Sequence, residues 1–98
     1  MLIIQHLSEM IKDEISDAEK YAQHAISYRN KDPELAKVFY RLANEELIHM
    51  DALHGQVVRI IDEYKNSGNI PPEGMLMIYS YLHDEMLRNV NEIRRMLS

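Results

Sequence analysis

Glu46 and His49 form an E-x-x-H within a helical pattern, and Glu14 stands in the helical pattern before it; all three fall on otherwise apolar faces. Two carboxylates and an imidazole withdrawn into a helical core are costly unless something neutralises them. A metal ion would do so. An E-x-x-H carries a carboxylate and an imidazole at i and i+3, on one side of a helix, where both can converge on one ion. The chain has no cysteine, which excludes a disulfide framework, a thiolate zinc site and a cysteine nucleophile. Ligation then falls to carboxylate and imidazole, a donor set suited to iron, manganese or zinc.

The elements that must position these residues are three helices. From about Ile4 to Arg29 there is no Gly or Pro, and Leu7, Met10, Ile11, Ala18, Tyr21, Ala22 and Ala25 recur at three- and four-residue steps. Asn30-Lys31-Asp32-Pro33 ends this helix and starts the next, with Asp32 as N-cap and Pro33 at the first helical position. So short a connection predicts an antiparallel hairpin. The second helix runs from about Pro33 to Lys65 and stops at Asn66-Ser67-Gly68-Asn69, where Gly68 can take positive φ. After Pro71-Pro72 a third helix covers about Glu73 to Leu97, and no strand-like alternation or repeat occurs anywhere. The expectation is an all-α fold in one domain spanning residues 1–98.

At about 100° per residue, Leu7, Ile11, Ala18, Tyr21 and Ala25 all fall within about 60° of Glu14, which puts this glutamate at the centre of its apolar stripe. Leu35, Phe39, Leu42, Ala43, Met50, Leu53, Val57 and Ile60 fall within about 60° of Glu46, and His49 lies at the edge of that stripe. Glu45, Asp51 and Asp62 point to the flanks or the far face and read as solvated charges. Heights agree too. Glu14 is about 22 Å before the end of its helix and Glu46 about 20 Å after the start of the next, at 1.5 Å per residue. The three residues thus make half of a carboxylate-bridged dinuclear site.

Other candidates have plainer readings. Tyr21 reads as a core tyrosine whose hydroxyl reaches Glu46 or a metal-bound water. Asp17, one turn after Glu14 at the stripe's edge, is placed to be an entry-path carboxylate. His6, His24 and His54 lie on stripe flanks and read as partly exposed. His83 and Glu85 fall off the third helix's stripe of Met75, Ile78, Tyr79, Leu82, Met86, Ile93 and Met96, which is core or interface. Tyr40, Leu47 and Val58 form a second, partly apolar strip where the third helix or another subunit could dock. The seven methionines are spread over apolar faces, which suits adaptable packing and not a copper site.

A net charge of −5, with its basic residues scattered among acids, argues against nucleic acid as a partner. No segment approaches the roughly 20 apolar residues of a membrane span. Met1 to Ile4 carries no basic region or small-residue cleavage site, so the simplest expectation is a cytoplasmic protein.

Glu14 followed by Tyr21, then Glu46-Leu47-Ile48-His49, resembles the metal-binding first half of the ferritin-like superfamily of ferritins, bacterioferritins and rubrerythrins. The likeness covers residues 11–64, and Asp17-Ala18-Glu19-Lys20-Tyr21-Ala22 and Asp32-Pro33-Glu34-Leu35-Ala36 are rubrerythrin-like in character. It implies Glu14 as terminal ligand to one iron, Glu46 as bridge between two, His49 as terminal ligand and Tyr21 as their neighbour. The second half is missing: the third helix reads Glu85-Met86-Leu87-Arg88 and Glu92-Ile93-Arg94-Arg95, with arginine where histidine would be. Two copies about a two-fold axis would supply four carboxylates and two histidines, an arrangement similar to the short encapsulated ferritins. The resemblance therefore implies a homodimer or larger homo-oligomer that completes a ferritin-like four-helix core. It implies dinuclear iron shared between chains, and Fe(II) oxidation by dioxygen or peroxide. An encapsulating shell fits such a protein, but Arg94-Arg95-Met96-Leu97-Ser98 offers no targeting tail. A rubrerythrin-like peroxidase would lack its cysteine-ligated electron-feeding centre. The alternative from a different class is a structural helical oligomer holding a redox-inert ion or none.

Overall fold

A computed structural model describes residues 2–68 and 73–98, the side chains of residues 73–76 and 78 excepted. Met1, Asn69, Pro71 and Pro72, and the stripe side chains of Met75 and Ile78, lie outside what is described. The elements are α1 (Leu2–Tyr28), α2 (Pro33–Asn66) and α3 (Glu73–Leu97), with no strand among the described residues. α1 starts two residues before Ile4, because nothing in Leu2-Ile3 interrupts a helix; the other ends fall within a residue of expectation. No helix among the described residues is long and apolar enough to cross a membrane.

The short breaks work as their residues dictate. The Asp32 carboxylate accepts the Leu35 N–H at 3.2 Å, and Pro33 occupies the start of α2, where its missing N–H costs nothing. Beyond α2, Gly68 adopts φ of +84°, a conformation open to glycine without steric penalty. Its N–H donates to the Lys65 carbonyl at 3.1 Å, and that of Ser67 donates to Glu63 at 3.0 Å, which satisfies carbonyls the helix end would leave open.

The α1–α2 seam repeats at alternating four- and three-residue steps. α1 buries Ile4, Ser8, Ile11, Ile15, Ala18, Ala22 and Ala25; α2 buries Ala36, Ala43, Leu47, Met50, Val57 and Ile61. Such spacing keeps one narrow stripe facing its partner along long helices. Alanines dominate near the turn and branched residues farther out, so the helices approach closely at one end and enclose larger side chains at the other. Contacts climb away from the turn in step: Tyr28 and Tyr21 meet Phe39 at ring separations of 6.0 and 6.2 Å, and then Glu14 meets His49.

α3 packs mainly on α1, burying Met86, Val90 and Ile93, with Tyr79, Met96 and Leu97 partly buried against the same core. It lies on the side of α1 that carries Ser8, Ile15 and Glu19. Along the other side of the α1–α2 pair, Leu7, Tyr21, Leu35, Phe39, Leu42, Leu53 and Ile60 stay half-buried. The molecule extends 56 × 19 × 18 Å, a length set by α2, whose 34 residues span about 51 Å at 1.5 Å each.

Candidate metal centre

Glu14 of α1 and Glu46 and His49 of α2 come together on that half-covered side. Each offers one ligand atom, and these atoms lie within 4.8 Å of one another. His49 Nδ1 is 3.5 Å from Glu14 Oε2 and 3.8 Å from Glu46 Oε2. The two carboxyl groups also share a hydrogen bond, which, with burial and the neighbouring Glu14 charge, pushes Glu46 up to about 7. A hydrogen bond between two carboxyls needs a proton on one of them. His49 opposes the shift and the charge of Asp17 adds to it.

The depth of the cluster differs from the sequence expectation. Side-chain exposure is 27% for Glu14, 19% for Glu46 and 59% for His49. Glu14 is thus not at the centre of the buried stripe but on its flank, a heptad from Leu7 on one side and from Tyr21 on the other, both also half-buried. The wheel counts every apolar neighbour equally. Burial favours Ser8, Ile15 and Ala22, on the side where α3 adds cover, and so rotates the true seam away from Glu14. His49, placed by sequence at the stripe's edge, turns its ring to both carboxylates from a largely exposed position.

The remaining candidates fall as follows. Asp17 is exposed and close enough to raise Glu46. Tyr21 is half-buried, and its observed partner is the Phe39 ring at 6.2 Å. His24 packs on Phe39 at 5.0 Å, while His6 is exposed. Glu45, Asp51 and Asp62 are exposed, as expected, and Glu45 lies 3.7 Å from Arg41. In the strip of Tyr40, Leu47 and Val58, only Leu47 is buried.

A second constellation escaped the sequence reading. His54, read as a flank residue, and His83, read as lying off the α3 stripe, stack with ring centroids 5.2 Å apart, and the Tyr79 hydroxyl lies 3.2 Å from His54 Nε2. One sequence signal existed: His54 falls four residues after Met50 and three before Val57, on the buried seam of α2. That α3 would deliver Tyr79 and His83 to it required the tertiary structure.

The donor set of two carboxylates and one imidazole fits a divalent first-row metal. The hydrogen-bonded carboxyl pair is the electrostatic strain that a cation would relieve by displacing a proton. No family model matches the chain, and no curated protein and no solved structure is significantly similar to it.

Proposed function

We propose that this chain is an iron-binding oxidase of ferroxidase type, active as a homodimer in which each copy contributes half of a dinuclear site. The observation that carries the reading is the convergence of Glu14, Glu46 and His49 from two helices to within 4.8 Å. α1 and α2 are read as an antiparallel hairpin, whose half-covered side would meet its two-fold mate to give a ferritin-like four-helix core. Four carboxylates and two imidazoles would then surround two ions, with Glu46 bridging and Glu14 and His49 terminal. Manganese or zinc could be held by the same donors.

Fe(II) is the substrate: two ions each lose one electron, and peroxide with two protons becomes two waters, or dioxygen with two protons becomes hydrogen peroxide. The chain's part is electrostatic. Glu14 and Glu46 are hard anionic donors that favour Fe(III) over Fe(II), Glu46 gives up its proton when the cation enters, and His49 fixes direction at the exposed edge. Asp17, beside the site and exposed, draws cations toward it.

Anaerobic Fe(II) loading followed by oxygen tests this directly. Wild type should develop a ferric absorption band with oxygen uptake, and Glu46→Ala should lose both; equal behaviour of the two proteins sinks the oxidase reading. One observation favours a second reading. The carboxyl pair with its shared proton and His49 beside it forms a self-consistent polar cluster without metal, as a structural oligomerisation module would need. In that case iron would leave stability and oligomeric state unchanged.

A further inference from the structure

On the side of α1 away from Glu14, α1 and α3 border a cleft of about 220 Å³. Ser8 at its edge and Glu14 are separated by about 120° around the helix. The floor is aliphatic, formed by Ile11, Ile15, Leu82 and Met86. One wall is the aromatic polar row Tyr79, His54 and His83, with Tyr79 and His83 centroids 5.8 Å apart. Ser8, a buried polar residue of the core, lines the cleft too.

Size, polarity and charge each narrow the occupant. A dry cavity of about 150 Å³ holds benzene, and drug-sized ligands need about 300 Å³ or more; 220 Å³ suits one substituted ring. The charged lining residues are Lys12, Glu19 and Glu85, two anions to one cation, which disfavours an anionic ligand. Burial holds His54 below the ordinary histidine range and Tyr79 above the ordinary tyrosine range, which favours the uncharged form of both at neutral pH. A neutral imidazole has one donor and one acceptor nitrogen. Because Tyr79 and His54 engage each other, the second imidazole, His83, is left to meet a group that can both donate and accept. A hydroxyl is such a group, and an aromatic ring gains from contact with the Met86 thioether and the neighbouring rings.

We propose that this cleft is a binding site for an uncharged single-ring aromatic molecule bearing a hydroxyl, its ring over Ile15 and Met86 and its hydroxyl joining the Tyr79–His54–His83 row. The site is separate from the metal cluster and does not depend on its function.

Phenol titrated into the full chain, followed residue by residue with two-dimensional NMR, tests it, with cyclohexanol and benzoate as comparison probes. Phenol should give saturable shifts centred on Ser8, Ile15, Tyr79 and Met86, with a dissociation constant on the order of 1 mM. Cyclohexanol should bind more weakly and benzoate at least about tenfold more weakly. His83→Phe keeps a ring, removes the ring nitrogens that would meet the ligand's hydroxyl and should weaken phenol about fivefold, whereas Glu46→Gln should leave phenol binding unchanged. The proposal is overturned by shifts that do not saturate or centre elsewhere, by benzoate binding as well as phenol, or by an unaltered His83→Phe. A response of His54 and His83 to Zn(II) with none to phenol would overturn it as well.

Discussion

In the proposed site, Glu46 would couple stability to metal binding through one side chain. Its carboxyl titrates near 4.5 when unperturbed and at about 7 in the fold, held up first by the hydrogen bond with Glu14 and then by burial. Between those values the folded chain binds the extra proton, so this contribution to metal-free stability is present below about pH 4.5 and is lost as pH rises through 7. Glu46→Gln keeps the hydrogen-bonding shape without the ionisation. It should raise the metal-free melting temperature at pH 8, with each kcal/mol regained worth about 4–8 °C in a domain of this size, while abolishing Fe(II) binding. Thermal melts at pH 5 and pH 8 check it: the two proteins should differ more at pH 8. For the same reason wild-type metal affinity should rise with pH, since the cation displaces a proton.

At the scale of the element, α1 and α2 depend on small side chains where they approach most closely. Ala18, Ala22 and Ala43 are fully buried, so Ala22→Leu should force overpacking and cost about 1–3 kcal/mol in denaturant unfolding. α3 is attached differently, through Met86, Val90 and Ile93 and the row of His54, Tyr79 and His83. Burial first, and then the charge of His83, lowers the His54 pKa, against a smaller opposing effect of Asp51. A depressed histidine takes its proton more readily when released. Its contribution to stability is therefore present above the unfolded value of about 6.5 and lost as pH falls from there through the lower folded value. Acidification from pH 7 to 5 should loosen α3 before the α1–α2 pair, visible as faster amide exchange in residues 79–93, and His54→Gln should remove that dependence. This slope opposes that of Glu46, and the two single variants separate them.

The whole molecule has one side covered by α3 and one side left half-covered, and the Glu14–Glu46–His49 cluster sits on the latter. Leu7, Phe39, Leu42, Leu53 and Ile60 are half-buried along the same helix faces, and burying such residues gains about 1.5–3 kcal/mol for each side chain fully covered. A two-fold dimer through this side should appear as twice the 11.6 kDa chain mass in analytical ultracentrifugation, with about one iron per chain. Leu53→Lys should give a helical monomer with impaired iron oxidation despite intact Glu14, Glu46 and His49. A wild-type monomer that oxidises iron would refute the shared site.

The three helices, their caps and the meeting of Glu14 with Glu46 and His49 were legible in the sequence, because helical periodicity, Asp32-Pro33 and Gly68 act over a few residues and residue rise converts sequence distance into height. The depth of the cluster and the His54–Tyr79–His83 row were not. Both depend on which side of α1 receives α3, a choice made by packing between residues far apart in the chain. That packing buries Ile15 and Ala22, leaves Glu14 and His49 toward solvent, and sets His54 and His83 ring against ring.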